Sequence, residues 1–369
     1  MNTNNSSKPV FAVLGAGHGG LAMAGHLSLM GFDVKLYNRS EERLWGVRSI
    51  GGVALEGEIE GFGKIATASN NIEEVIAGAD IIMVVVPATA HQFIAEQCAP
   101  HLKAGQIVIL NPGRTFGAIE FRQIITKLGV DEEVIVAEAQ TFIYASRISG
   151  PAQVHVFRIK NSIPLASIRA YLIPKVIERL RIAYPQFVPG DNVFKTSFEN
   201  IGAVFHPAIC AMNAGWIEDN AEFEFYMEGV TESVGRVLEK IDKERVNVAE
   251  ALGIRAISAK EWLFLAYGAH GQTLRDSMRA NPGYRGIKAP NRLSIRYLTE
   301  DVPCSLVPIA SIGHKFGVNT DTIDSIIRIA SALNNTDYCE NGRTIEKLQI
   351  QNLSLRELRL LAIGEKYEK

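Results

Sequence analysis

Val10-Phe11-Ala12-Val13-Leu14-Gly15-Ala16-Gly17-His18-Gly19-Gly20 is the stretch on which the fold turns. Five apolar residues in a row, cut off by glycine, predict a strand buried on both faces. A helical pattern then runs over 19–30, and Gly31 stands where a helix commonly stops. A second strand is expected over 33–37. The three spaced glycines have separate uses. Gly15 permits a tight turn, Gly17 lets a ligand approach the backbone, and Gly20 allows close helix–strand packing. Free N–H groups at the start of the helix would face an anion placed there.

The alternation continues along the chain. Helices are expected over 71–77, 90–102 and 119–128, and strands over 80–86, 106–110 and 133–137. Residues 154–159 add a strand or two, and a helix over 168–183 closes the region. Apolar strands separated by helices predict a mostly parallel, doubly wound α/β sheet of the Rossmann type. The character changes after Tyr184-Pro185. Helical periodicity dominates beyond it, in a long amphipathic stretch at 222–252 and in shorter ones at 257–266, 304–316 and 322–333. Residues 268–290, rich in Gly and Pro, are expected as an irregular loop or lid. The reading is of two domains, a nucleotide-binding domain over 1–187 and a mostly α-helical domain over 188–369.

Gly15, Gly17 and Gly20 form G-x-G-x-x-G, and the strand before it and helix after it are the context that a dinucleotide site requires. His18 and Gly19 fall inside the same loop. The second strand ends in Tyr37-Asn38-Arg39-Ser40. An enzyme using NAD usually places a carboxylate here against the ribose 2′-hydroxyl. Asn38 repels no 2′-phosphate, and Arg39 and Ser40, with Arg43 behind them, can contact one. The expectation is NADP(H) over NAD(H). Pro87 and Ala88, and Asn111 through Arg114, follow later strands and are expected to flank ribose and nicotinamide.

Composition narrows the class. In 369 residues the formal net charge is −2, so no global field attracts nucleic acid or an anionic membrane. The longest apolar run, 81–87, is strand-sized. Cys98, Cys210, Cys304 and Cys339 lie far apart, which argues against a metal site or a redox dithiol and fits a reducing cytoplasm. All four are expected as small buried hydrophobes. The 222–252 helix has apolar positions enough for a domain core or a homodimer interface.

The second half carries more specific signals. Asn200-x5-His206-Pro207 leads into Asn213-Ala214-Gly215, and Arg296-x4-Asp301-x-Pro303 follows. With Asn341-Gly342-Arg343-Thr344 and Leu348, these stretches resemble the octopine/nopaline (opine) dehydrogenase family over nearly the whole chain. The resemblance implies reductive condensation of a 2-oxo acid with the amine of an amino acid or other amine. It matches His206 and Asp301 to a catalytic pair and Arg296 to a carboxylate-binding arginine. The chemistry is consistent. A histidine titrating near neutrality exchanges protons with substrate, a carboxylate orients it, and a guanidinium fork suits a 2-oxo acid. Asn200 holds substrate or orders the histidine segment. Thr141, with Phe142 and Tyr144, is expected to line the amine pocket, and His270 and Arg275 are candidates to close over it.

Two other readings compete. A ketopantoate reductase or glycerol-3-phosphate dehydrogenase would share the N-terminal domain but rely on catalytic lysine. A catalytically silent NADP(H) sensor would keep the glycines and lose His206, Asp301 or Arg296, all of which are present.

Overall fold

The computed structural model describes residues 8–130 and 133–364; residues 1–7, 131–132 and 365–369 lie outside that description. The described chain forms two compact units, 8–113 with 117–196 and 361–364, and 114–116 with 197–360.

The first unit holds twelve strands: β1 (Phe11–Leu14), β2 (Val34–Tyr37), β3 (Gly52–Gly57), β4 (Gly61–Lys64), β5 (Thr67–Ser69), β6 (Ile81–Val84), β7 (Ile107–Leu110), β8 (Ile135–Ala139), β9 (Tyr144–Gly150), β10 (Gln153–Ile159), β11 (Ile163–Ser167) and β12 (Phe187–Pro189). Eight of them pair in the order β12-β11-β8-β7-β6-β1-β2-β5. All these pairs are parallel except β8 with β11. The chain reverses direction of travel across the sheet between β1 and β6, the place where open α/β sheets put their ligands. Every side chain of β1, β6 and β7 is buried, as their unbroken apolar runs require. The helix His18–Leu29 follows β1 directly.

Four strands form a second sheet, β4-β3-β10-β9. Of these, the sequence reading foresaw only the region of β10. Its members carry glycine and exposed polar residues, so the apolar signal that marks β1 or β6 is missing. The small sheet lies against the helix His18–Leu29 at close quarters. A Cβ on Gly63 would sit 2.3 Å from the Gly25 carbonyl oxygen. The expected 168–183 helix is split: β11 ends at Ser167, and the α-helix proper is Ile173–Arg181.

The second unit is helical, through Gly202–Met212, Glu232–Ala251, Ala259–Tyr267, Leu274–Ala280, Val307–Lys315, Asp321–Leu333 and shorter pieces. Two expectations are corrected here. The long helix begins at Glu232, not at residue 222, because the Thr231 side chain caps it by accepting from the Val234 N–H. Residues 223–230 instead make a turn, with Phe225 N–H donating to the Ile287 carbonyl and Gly229 N–H to that of Glu224. Nor is 268–290 irregular throughout. It contains the helix Leu274–Ala280, whose Thr273–Asp276 capping box outweighs its flanking glycines, and a short turn at Pro282–Tyr284. Among the described residues no helix is long and apolar enough to cross a membrane. Cys98, Cys210 and Cys304 are buried, whereas Cys339 is exposed on a short helix, against expectation.

Candidate functional site

In the first unit the glycines stand as their spacing implies. Gly15 has φ of +119°, and a Cβ there would lie 2.3 Å from the Val85 carbonyl oxygen. A Cβ on Gly20 would meet the Gly15 carbonyl oxygen at 1.7 Å, so the helix start and the loop pack backbone to backbone. Nothing lies within 4 Å of the Cβ position of Gly17, and this residue begins the helix without any side-chain cap. That leaves an open cradle at a helix N-terminus, a fit for the pyrophosphate of a dinucleotide. Gly19 has a different task. It makes room for the Phe142 ring, 2.6 Å from its Cβ position.

The end of β2 is more committed than the sequence suggested. The Asn38 side chain accepts from Ala16 N–H at 3.0 Å and donates to the Ser40 carbonyl at 2.9 Å, so it braces the glycine loop. Arg39 and Ser40 are exposed, as is Arg43, and the Arg39 guanidinium lies 5.4 Å from the centroid of the Phe93 ring. Pro87 sits exposed just past β6. Asn111 is buried at the end of β7, donating to the Ile109 carbonyl while its own Oδ1 has no hydrogen-bond partner. A buried, unpaired acceptor of that kind at a strand end suits a donor on a ligand.

His18 is bound to the small sheet: its Nδ1 accepts from the Ile148 N–H at 2.8 Å. Thr141 accepts from Lys160 Nζ at 2.6 Å. Tyr144 opens β9. It is buried, with its hydroxyl 2.8 Å from His26 Nδ1 and 2.9 Å from the Tyr184 hydroxyl, and burial first, then Tyr184, raises its pKa well above the ordinary phenol value.

In the second unit His206 and Asp301 meet. His206 lies on the helix Gly202–Met212, and Asp301 immediately precedes a π-helical turn, Val302–Leu306. Nδ1 of His206 is 2.7 Å from Asp301 Oδ2. Asp301 is wholly buried and makes no side-chain cap to the turn that follows, so its carboxylate serves the histidine rather than a helix end. The imidazole stacks on the Tyr297 ring, 4.2 Å between centroids and 18° from parallel. Its Nε2 is 3.1 Å from the hydroxyl of Tyr226.

The cation beside this pair is Arg114, which the sequence reading had placed in the nucleotide loop. Its Nη1 is 3.0 Å from the other Asp301 oxygen and donates to Asn200 Oδ1 at 3.2 Å; its Nε donates to Glu300 at 3.2 Å. Burial alone would lower the guanidinium pKa, but the carboxylates of Asp301 and Glu300 outweigh it and the net direction is upward. Asn200 completes the set by donating to Ser305 Oγ at 2.7 Å, so it orders the charged cluster. Arg343 donates to the Thr115 carbonyl at 2.6 Å and fixes the short 114–116 segment.

Arg296 approaches the same cluster from outside. It pairs with Glu300 through Nε and, at 3.0 Å, through Nη2, yet its side chain is 58% exposed, against 15% for Arg114. His270 is exposed, 3.5 Å from the Gly268 carbonyl and edge-on to the Phe264 ring at 6.4 Å, and Arg275 donates to the Val230 carbonyl. Glu300, Tyr226 and Tyr297 were not among the candidates from the sequence, and Arg114 was expected on the nucleotide side. Arg114 and Tyr226 belong to segments assigned to other tasks, and only the proximity of Glu300 and Tyr297 to the Arg296–Asp301 motif signalled them. Among the described residues no grouping of His, Cys, Asp and Glu could hold a metal ion.

A glycine cradle for a dinucleotide and a carboxylate–histidine pair on a helical domain, carried by one chain, are the parts of an NAD(P)-dependent oxidoreductase. Comparison with known proteins narrows this further. The α-helical domain of NAD/NADP octopine/nopaline dehydrogenase matches residues 189–334, and the NAD-binding domain of 6-phosphogluconate dehydrogenase matches 10–120. An opine dehydrogenase from Arthrobacter sp. (strain 1C) is 36% identical over 350 residues, 95% of this chain and 97% of that one. The protein ocs of Agrobacterium tumefaciens (strain Ach5) is 28% identical, covering 92% and 95%. The chain belongs to the opine dehydrogenase family. In fold it matches octopine dehydrogenase solved with NADH and L-arginine, with a TM-score of 0.81 at 18% identity over 98% and 99% of the two chains. It also matches yersinopine dehydrogenase with NADP+ bound, at 0.79 and 15% identity over 95% and 99%.

Proposed function

We propose that the protein condenses a 2-oxo acid with the amine of an amino acid or other amine and reduces the resulting imine, using NADPH in preference to NADH. The observation that carries this is the Asp301–His206 contact, held on the far side of the carboxylate by Arg114. An ionised Asp301 accepts from Nδ1–H, which leaves Nε2 as the nitrogen that takes or gives the substrate's proton. Arg114 is spent on Asp301 and Glu300. Arg296 is the exposed guanidinium of the cluster and the better candidate to receive the oxo-acid carboxylate.

Gly15, Gly17, Gly20, Asn111 and the start of the helix His18–Leu29 would hold the dinucleotide, whose nicotinamide supplies the hydride. Asn38 carries no charge against a 2′-phosphate, and the exposed Arg39 and Ser40 next to it support the NADPH preference. Thr141 and the neighbouring Phe142 are retained as amine-side candidates. Solved relatives were crystallised with pyruvate and with agmatine, which sets the range of substrates worth testing.

The test is a matrix of 2-oxo acids against amines, read by NADPH absorbance. Oxidation that needs both partners supports the proposal; oxidation by an oxo acid alone removes it. In the best pair, His206→Ala should lower kcat by about a hundredfold or more while dinucleotide affinity stays near normal.

A further inference from the structure

Tyr226 is a buried ionisable group in contact with the ring of His206 and has no part in the chemistry proposed above. Asp301 takes the Nδ1 side of that ring at 2.7 Å, and the Tyr226 hydroxyl stands 3.1 Å from the Nε2 side. With Asp301 accepting, Nδ1 is the donor, so neutral His206 receives the phenol's hydrogen bond at Nε2. Both ring nitrogens are therefore engaged within the helical unit.

The phenol is fixed in place. It is 6% exposed and stacked on Tyr284, 4.1 Å between centroids and 17° from parallel, with Phe225 edge-on at 5.0 Å. Its turn is held by Phe225 N–H on the Ile287 carbonyl and by Asn213 Nδ2, which donates to the Gly229 carbonyl at 3.0 Å. A hydroxyl so pinned does not swing aside to clear a path to Nε2.

We infer that Tyr226 is a proton-transfer residue, carrying the proton between His206 Nε2 and the substrate. This rests on the acid/base role proposed above for His206. In the condensing direction the amine has added to the oxo acid to give a carbinolamine. The phenol gives its proton to the hydroxyl oxygen as the C–O bond breaks and water leaves, and the nitrogen lone pair forms C=N. The Nε2–H of the imidazolium restores the phenol's proton. One proton and one positive charge pass from His206 to water and iminium, with no change of oxidation state before the hydride arrives.

Burial, followed by the neighbouring Tyr284, Tyr297, Asp301 and Tyr267, holds the phenol well above its ordinary pKa. A free tyrosinate is therefore disfavoured, and the two proton movements occur together. The titratable groups around the pair are these four with Cys210, whose pKa is itself raised by burial and then by Asp301. Arg114 and Glu300 stand behind the carboxylate.

The experiment compares the full-length enzyme with Tyr226→Phe, which keeps the stack on Tyr284 and removes only the hydroxyl. Turnover on the best substrate pair should fall by about a hundredfold, while NADPH affinity and thermal midpoint stay unchanged. Difluorotyrosine at 226, a more acidic phenol, should restore turnover and move the alkaline limb of the pH–rate profile to lower pH. Turnover of Tyr226→Phe within threefold of the parent overturns the inference, and so does an unmoved limb in the fluorinated enzyme. If Tyr226→Phe folds poorly, the fluorinated enzyme decides the matter, since it keeps ring and hydroxyl. His206→Ala is run alongside: an inactive His206→Ala with an active Tyr226→Phe removes the relay alone, whereas two active variants remove the site.

Discussion

The two candidate sites are made in opposite ways. The dinucleotide cradle comes from one continuous stretch, residues 15–20, braced by Asn38 at the end of the adjacent strand. Its working parts are backbone groups and the missing side chains of glycines. The acid/base cluster draws on Arg114, Asn200, His206, Tyr226 and the 296–301 segment, and its working parts are side chains, with only Arg296 largely exposed among the charged ones. A site of backbone written in consecutive residues is robust to most surface changes but intolerant of one methyl group. A site of paired charges from distant segments depends on every partner, because removing one leaves another buried without compensation.

That contrast can be broken most directly at Arg114. Arg114→Met removes the guanidinium shared by Asp301 and Glu300 and should destabilise the protein by about 3–5 kcal/mol, the usual cost of breaking a buried pair. Thermal or urea unfolding measures it, and NADPH affinity in the remaining folded protein should be near normal. A large loss of affinity with unchanged stability would mean that Arg114 belongs to the nucleotide site after all. Gly20→Ala is the reciprocal test. The added methyl meets the Gly15 carbonyl oxygen at 1.7 Å, so the loop must move. Dinucleotide affinity should drop by about a hundredfold, close to 3 kcal/mol by titration.

Arg296→Lys keeps the charge but loses the planar fork. The Michaelis constant for the oxo acid should rise about ten- to a hundredfold, corresponding to ~1.5–3 kcal/mol for a charge-assisted contact, with NADPH affinity unaltered. An unchanged constant under saturating amine would leave Arg296 as no more than the partner of Glu300. The smallest effect is expected at Asn38→Asp. The new carboxylate can still accept from Ala16 N–H, although it loses the donation to the Ser40 carbonyl, and it repels a 2′-phosphate. The ratio of NADPH to NADH affinity should fall by about tenfold, or 1.4 kcal/mol. Tighter NADH binding in the parent protein would remove the preference altogether.

Particular elements show why some of this was legible. The strands β1, β6 and β7 are buried on both faces, and uninterrupted apolar runs say so without any tertiary information. The small β4-β3-β10-β9 sheet went largely unread because its strands are short, glycine-bearing and half exposed, so no period separates them from loop. At 222–230 the apolar spacing mimicked a helix, and the cap at Thr231 overruled it. Tyr226 lies inside the 223–230 turn. In 268–290 the glycines and prolines masked a capping box, and Tyr284 was taken for part of a loop.

By itself the sequence determined the parallel sheet and the glycine loop, which local periodicity and short fixed spacing carry; the family and the pairing of His206 with Asp301, 95 residues apart, came only through the resemblance of its motifs. Only the tertiary structure decided which groups surround that pair. Arg114 is 187 residues from Asp301 in the chain, and Tyr226 reaches His206 through a turn that breaks the helical pattern. Contacts of that separation depend on how buried charges and rings find compensation in a packed interior, and nothing in the spacing of neighbouring residues encodes it.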